Sequence, residues 1–246
     1  LAQLLEKLNA IEDLEWIRLL YLYPATVDSE LIDAMATLPK VCKYMDMPLQ
    51  HAHPEVLRAM LRPSNGERYL EIINDFRARV PDVTMRSTFI VGFPGETEEH
   101  VDYLQEWIGR AQLDRVGFFE YSPEEGTPGA KLPNQVSAKV RRKRLLRLRD
   151  AQRVASEIAR SRRVGQTVRV LVEESRHLRK TDPFRPLLGE PRAWFGRSMG
   201  EAPGVDGGVY FTGEAQVGDF VEVTLEGNGP FDFAGKLTSK ELLAIG

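Results

Sequence analysis

One cysteine, Cys42, is all that the 246-residue chain contains. That excludes an intrachain disulfide, and it excludes any zinc or iron-sulfur site built from cysteines of this chain. A reducing, cytoplasmic setting is the expectation. Long apolar runs are also missing: none approaches the roughly 20 residues that cross a bilayer. The N-terminus lacks the basic-then-apolar pattern of a secretory signal, so no membrane partner is expected. Charge of one sign is not in excess either, at a formal net charge of -3, so any basic footprint must be local. No solenoid-type repeat is visible. The chain begins at Leu1, in mid-helix pattern and without Met, which leads us to expect a fragment of a longer protein.

What is present suits an α/β protein. The apolar fraction is 42%, enough for one large domain or a medium domain plus a small one. Leu1, Leu4, Leu5, Leu8 and Ile11 recur at helical spacing. Trp16 to Pro24 is nearly continuous in apolar residues and predicts a strand buried on both faces. Asp28 or Ser29 can cap a helix carrying Leu31, Ile32, Met35 and Leu38 inward. Strands are then predicted over 43–49, 83–91 and 115–121. Helices are predicted over 54–60, 67–80 and 97–111, the second with Tyr69, Leu70, Ile73, Phe76 and Val80 on one face. Alternating strands and helices with short joins imply a parallel sheet.

From Ser137 to about Arg163 the pattern is one long helix, rich in Arg and Lys, with Asp150 and Glu157 opposing. Leu145, Leu148, Ala151, Ala155 and Ile158 form its expected buried stripe. Such a basic face is either a solvated helix face or a phosphate-binding one. After Gly165 the composition changes to short alternating runs over 166–173, 205–212, 219–225 and 231–237, separated by glycine, the pattern of a small antiparallel barrel. Residues 176–192, with three prolines, read as a long mobile loop. The expected domains are 1–158, with the long basic helix, and 162–246.

Two strand ends carry unusual chemistry. One reads Met47-Pro48-Leu49-Gln50-His51-Ala52-His53, the other Phe89-Ile90-Val91-Gly92-Phe93-Pro94-Gly95-Glu96. In a parallel α/β sheet, functional loops sit at the C-terminal ends of strands. His51 and His53 invite a metal reading, but two histidines two residues apart without further ligands are expected to orient the loop instead. Cys42 precedes a strand and so is expected at the opposite end from these tips.

These tips, together with Tyr21-Leu22-Tyr23-Pro24 and Tyr121-Ser122-Pro123-Glu124-Glu125-Gly126-Thr127-Pro128, resemble the methylthiotransferase branch of the radical S-adenosylmethionine enzymes. Gly196-Arg197-Ser198 and Ala202-Pro203-Gly204-Val205-Asp206-Gly207 are similar to the TRAM domain that ends them. The resemblance implies a partial parallel (β/α) barrel of radical SAM type followed by a small TRAM barrel. The tips are closer to the subfamily that modifies an aspartate of a small-subunit ribosomal protein (protein twelve) than to the one that modifies a tRNA adenosine. A non-catalytic RNA- or protein-binding module is the alternative of a different class.

The implied cofactors are S-adenosylmethionine and 4Fe-4S clusters, the first cluster held by a Cys-x3-Cys-x2-Cys loop that this chain lacks. The resemblance assigns cofactor contacts to Gln50 and Arg62, a weaker hydroxyl contact to Thr88, and the adenine side to Ile90 and Gly92. Glu96 stands one position beyond the family's glutamate, which Gly95 replaces. Tyr23 is either substrate-facing or packing. The TRAM-like barrel is expected to grip the ribosomal-protein substrate, with Phe231, Asp232 and Phe233 either docking a partner or plugging the barrel end. Ribosomal RNA is a further possible contact, and a monomer is expected.

Overall fold

The computed structural model describes residues 1–241; the last five residues of the expected second domain lie outside the described residues. The chain divides into two compact units, Leu1–Ser156 and Glu157–Gly246.

The first unit begins with helix α1 (Ala2–Asn9), which packs on α2 (Ser29–Thr37). Of the stripe expected in α1, Leu5 is buried and Leu8 partly packed, while Leu1, Leu4 and Ile11 are exposed. The helix therefore rests on a narrow line. Asp28 caps α2, its carboxylate accepting the Leu31 N–H at 2.8 Å, which satisfies one of the donors a helix start leaves unpaired.

The strand expected over Trp16 to Pro24 does not form. It contributes one parallel bridge, Ile17 to Val41, and a bond from the Leu22 N–H to the Asp46 carbonyl at 2.8 Å. The backbone turns into the left-handed region at Tyr21, with φ 60°, and the Tyr21 N–H goes to the Asp46 carboxylate at 3.0 Å. Leu20 and Tyr21 are exposed, so this segment borders the sheet and is not buried on both faces.

Three strands make a parallel sheet in the order β1 (Tyr44–Asp46), β2 (Thr84–Val91) and β3 (Arg115–Glu120). Between them run α3 (Pro54–Ala59), α4 (Gly66–Arg79) and α5 (Glu98–Ala111). After a buried Thr84, strand β2 alternates from Met85 onward. Met85, Ser87, Phe89 and Val91 are buried, whereas Arg86, Thr88 and Ile90 are half-exposed, as the period of two requires. Phe89 meets the Trp107 ring of α5 at 5.8 Å edge-on, a favoured aromatic geometry. The predicted α4 face, Tyr69 to Val80, is buried as a whole.

Helix α6 (Ala138–Ser161) carries Leu145, Leu148 and Ala155 into the core, with Ala151 partly covered. Ile158, expected in this stripe, is exposed. Polar side chains take up the remaining inner positions: the buried Gln152 donates to the Leu113 carbonyl at 2.7 Å, and the Ser156 hydroxyl to that of Asp114 at 2.6 Å. Hydrogen bonding makes such burial tolerable.

The second unit is a closed five-stranded barrel in the order β4-β5-β6-β8-β7, formed by β4 (Thr167–His177), β5 (Arg192–Arg197), β6 (Val209–Thr212), β7 (Phe220–Asn228) and β8 (Phe233–Glu241). Its interior holds Val170, Val172, Val209, Phe211, Val221, Val223, Leu225 and Phe233. Four seams are antiparallel, but β6 and β8 pair in parallel, a departure from an all-antiparallel barrel. The segment read as a long mobile loop carries a short helix between two strand ends. Strand β4 runs on to His177, β5 begins at Arg192, and a short helix α7 (Arg185–Leu188) lies between. Phe184 and Leu188 pin it by burial against Ala193 and Ala234.

Candidate functional site

The C-terminal ends of β1 and β2 are tied together by backbone. Tyr44 pairs with Thr84 and Asp46 with Arg86, yet four residues later Gln50 pairs with Phe89, so the β1 side accommodates one extra residue. Gln50 sits at φ 71°, and it still completes the ladder: its N–H donates to the Thr88 carbonyl and its carbonyl accepts the Ile90 N–H, both at 2.8 Å. Irregular, positive-φ backbone of this kind concentrates where function holds it in place.

All five residues assigned from the resemblance stand at or beside this end. Arg62 follows α3 and reaches back, Nη1 donating to the Pro48 carbonyl at 3.1 Å, while its guanidinium lies 5.3 Å from the Tyr23 ring centre. Thr88 and Ile90 are on the half-exposed face of β2, in register with Gly117 and Phe119 of β3. Phe119 is mostly exposed. On the same face, nearer the strand starts, Arg86 bonds Asp46 at 2.7 Å. Gly92 ends the strand at φ +79°, and a Cβ there would run into the side-chain stem of Arg141, so both conformation and space call for glycine.

Glu96, which the motif comparison leaves without a role, is wholly buried and organises this corner. Its Oε2 accepts the Gly92 N–H at 2.9 Å, and its Oε1 pairs with Arg144 Nη1 of α6 at 3.0 Å. Arg144 also donates to the Glu96 carbonyl at 2.9 Å and to Glu98 at 2.8 Å. His51 Nε2 lies 3.6 Å from Glu96 Oε2. A buried carboxylate with a guanidinium and a backbone donor is satisfied in the way burial demands. Sequence reasoning had no route to Arg144, which lies forty-eight positions from Glu96 in a helix crowded with similar residues.

The histidines orient loops, as expected, though with more company than the sequence suggested. His51 Nδ1 accepts the His53 N–H at 2.9 Å, and His53 Nδ1 accepts the Glu55 N–H at 3.3 Å, capping α3. His100 replaces the usual glutamate of a capping box, its Nδ1 accepting the Thr97 N–H at 3.2 Å. His53, Glu55 and His100 do bring possible ligand atoms within 4.8 Å of one another. Yet both rings take a backbone N–H at Nδ1, which leaves the proton of a neutral ring on Nε2. Metal-binding histidines do the reverse, donating from the second nitrogen. Burial pushes the His51 ring below its ordinary pKa, although Glu96 opposes this. His53 is lowered as well, by desolvation first and then by His100.

Residues 1–108 match the radical SAM superfamily, and residues 164–238 match the TRAM domain. The chain is 42% identical over 239 residues to the ribosomal protein uS12 methylthiotransferase RimO of Desulforamulus reducens, covering 96% of this chain and 51% of that protein. To the RimO of Roseiflexus castenholzii it is 45% identical over 240 residues, covering 96% and 47%. The chain thus spans about half the length of the curated relatives it matches. Among solved structures, coproporphyrinogen III oxidase (HemN) from Escherichia coli, a radical SAM enzyme, superposes with a TM-score of 0.50 at 13% identity, over 86% of this chain and 46% of that one, a likeness of fold.

The superfamily's two cofactors meet this chain differently. S-adenosylmethionine fits the strand ends: the Gln50 amide and the Thr88 hydroxyl belong to half-buried residues and make no side-chain hydrogen bond among the described residues, which leaves polar capacity for a polar ligand. An iron-sulfur cluster does not fit the residues present. Cys42 is the one thiol, it is wholly buried, and it precedes β1 at the end of the sheet away from the tips. The parallel sheet of the first unit and the closed barrel of the second agree with these matches: the chain carries a segment similar to the radical SAM superfamily over residues 1–108 and one similar to the TRAM domain over residues 164–238.

Proposed function

We propose that this chain forms the cofactor-cradling part and the TRAM domain of a methylthiotransferase that adds a methylthio group to the β-carbon of an aspartate in small-subunit ribosomal protein uS12. Identity of 42% to such enzymes across 96% of the chain carries the reading. S-adenosylmethionine, when bound, supplies hydrogen-abstracting chemistry and a methyl group. The chain's own residues bind and orient it. Gln50 offers an amide donor and acceptor to ribose or methionine groups. Arg62 is anchored by one nitrogen on Pro48, and its other donors are available to a carboxylate in a charge-assisted contact. Thr88 adds a hydroxyl, Ile90 packs the base, and Gly92 lets backbone approach it.

In this reading the TRAM barrel holds the ribosomal protein, and Phe231 and Phe233 divide the roles expected of them. Phe233 is buried inside the barrel and Phe231 is exposed at the β7–β8 turn, where an aromatic surface suits a protein partner. The test joins this chain to the N-terminal half of the Desulforamulus reducens relative, reconstitutes the clusters, and supplies uS12 and tRNA together. Mass spectrometry should show the mass of a methylthio group replacing hydrogen on one uS12 aspartate. A gain on tRNA adenosine with none on uS12 would overturn the reading.

A further inference from the structure

Helix α6 carries nine arginines and lysines against two acids, and the fold sorts them by face. On the inner side, Arg144 is spent on Glu96 and Glu98, Arg147 on Gln105 and Asp102, and Arg141 on the Val136 carbonyl. On the outer side, Lys139, Arg142, Lys143, Arg149 and Arg153 are all exposed. Arg142 has a loose partner, Glu120, at 3.6 Å. Lys139, Lys143, Arg149 and Arg153 have no ion pair or side-chain hydrogen bond among the described residues.

At 3.6 residues per turn these five cations fall within about a third of the helix circumference, and 1.5 Å per residue spreads them over about 21 Å. Asp150 is the one acid inside that arc before Glu157, and Leu146 is its one exposed large apolar side chain short of Val154. The whole chain is net negative, so the concentration is local, and a local row of like charge costs self-repulsion unless a counter-charge meets it.

We propose that this outer face of α6 is a docking surface for the phosphate backbone of duplex RNA. The row's composition favours nucleic acid over protein. Cores of protein interfaces are depleted in charge and enriched in aromatics, whereas this face is charged and has no aromatic residue. The same absence of aromatics argues against single strands, whose bases stack on such side chains. Duplex RNA is read through shape and backbone, as a straight row of cations can do. The inference concerns a face of the radical SAM unit outside the TRAM domain, and it does not depend on which substrate is methylthiolated.

The test measures binding of the 246-residue chain to a labelled RNA duplex of about 16 base pairs, the span a shape-reading domain covers, by fluorescence anisotropy between about 50 and 200 mM salt. Replacing Lys139, Lys143, Arg149 and Arg153 with Gln, a good helix former, should weaken binding at low salt at least about tenfold and flatten the log-log salt slope by about 3. Neutralising Lys7, Arg58 and Arg68 elsewhere in the unit should change the slope by less than about one. Circular dichroism melting should show that all variants keep their fold. No duplex binding by the unsubstituted chain would overturn the proposal. So would an unchanged slope in the fourfold variant, or loss of binding to an acidic polypeptide with RNA binding intact.

Discussion

His51 Nε2 lies 3.6 Å from Glu96 Oε2, and both side chains are fully excluded from solvent. The pair joins the tips of β1 and β2, because His51 also fixes the His53 N–H while Glu96 also fixes that of Gly92. Two loops at the strand ends thus each rest on one member of a buried, facing pair.

Replacing Glu96 with Gln keeps an acceptor for Gly92 but leaves the buried Arg144 guanidinium with the exposed Glu98 as its remaining counter-charge. Breaking a buried pair from one side costs about 3 to 5 kcal/mol, though the remaining bond to Glu98 sets the expectation at the low end. The denaturant midpoint should fall accordingly. Adding Arg144→Met should recover at least about 1 kcal/mol, the sign of two residues that act as one unit. Additive losses would mean that the pair is not coupled.

Gly92→Ala places a side chain at φ +79° and against the Arg141 stem. The backbone part costs about 1 to 2 kcal/mol, and the crowding adds to it. Combining it with Arg141→Ala should remove the crowding and leave the backbone part. Equal stability of the single and double variants would show that Arg141 gives way freely.

Gln50→Ala separates binding from folding. The Gln50 side chain makes no hydrogen bond among the described residues and its ladder bonds are backbone, so the melting temperature should hold. Affinity for S-adenosylmethionine, measured by calorimetry, should fall about tenfold, the worth of one hydrogen bond to a charged or polar group. Arg62→Ala should lower both, since Arg62 also bonds Pro48 and lies against Tyr23. Unaltered affinity in both variants would remove these residues from the cofactor site.

Stability should depend on pH through the same corner. His51 is pushed below its ordinary value of 6.5, chiefly by burial, so the unfolded chain binds this proton more readily than the folded one. Stability is then fully present above pH 6.5 and declines as the pH falls below it toward the lowered folded value. His51→Asn retains an acceptor for the His53 N–H and should flatten the curve of melting temperature against pH between about 6.5 and 5. A curve of the same steepness in the variant would place the titration elsewhere, with His53, lowered in the same direction, the next residue to change.

Sequence patterning located α4, by its apolar face, and placed β2 and α5 within a residue or so of their observed bounds. It misplaced the segment from Trp16 to Pro24, where an unbroken apolar run looks the same whether it lies inside a sheet or along its border. It also overlooked β5, since Arg192-Ala193-Trp194-Phe195-Gly196-Arg197 alternates weakly and follows a proline-rich stretch.

The sequence by itself named the residues of the candidate site. Gln50, Thr88, Ile90 and Gly92 sit at strand ends because strand length and the Pro and Gly that follow are local properties, and Cys42 stands alone because a count needs no fold. Only the tertiary structure decided what supports those residues and which cations are left over. Arg144 and Arg153 are both arginines of one basic helix, yet the first is buried against Glu96 and the second faces solvent. Which side of a helix meets a distant loop is fixed by packing between segments far apart in sequence, and no local pattern records it.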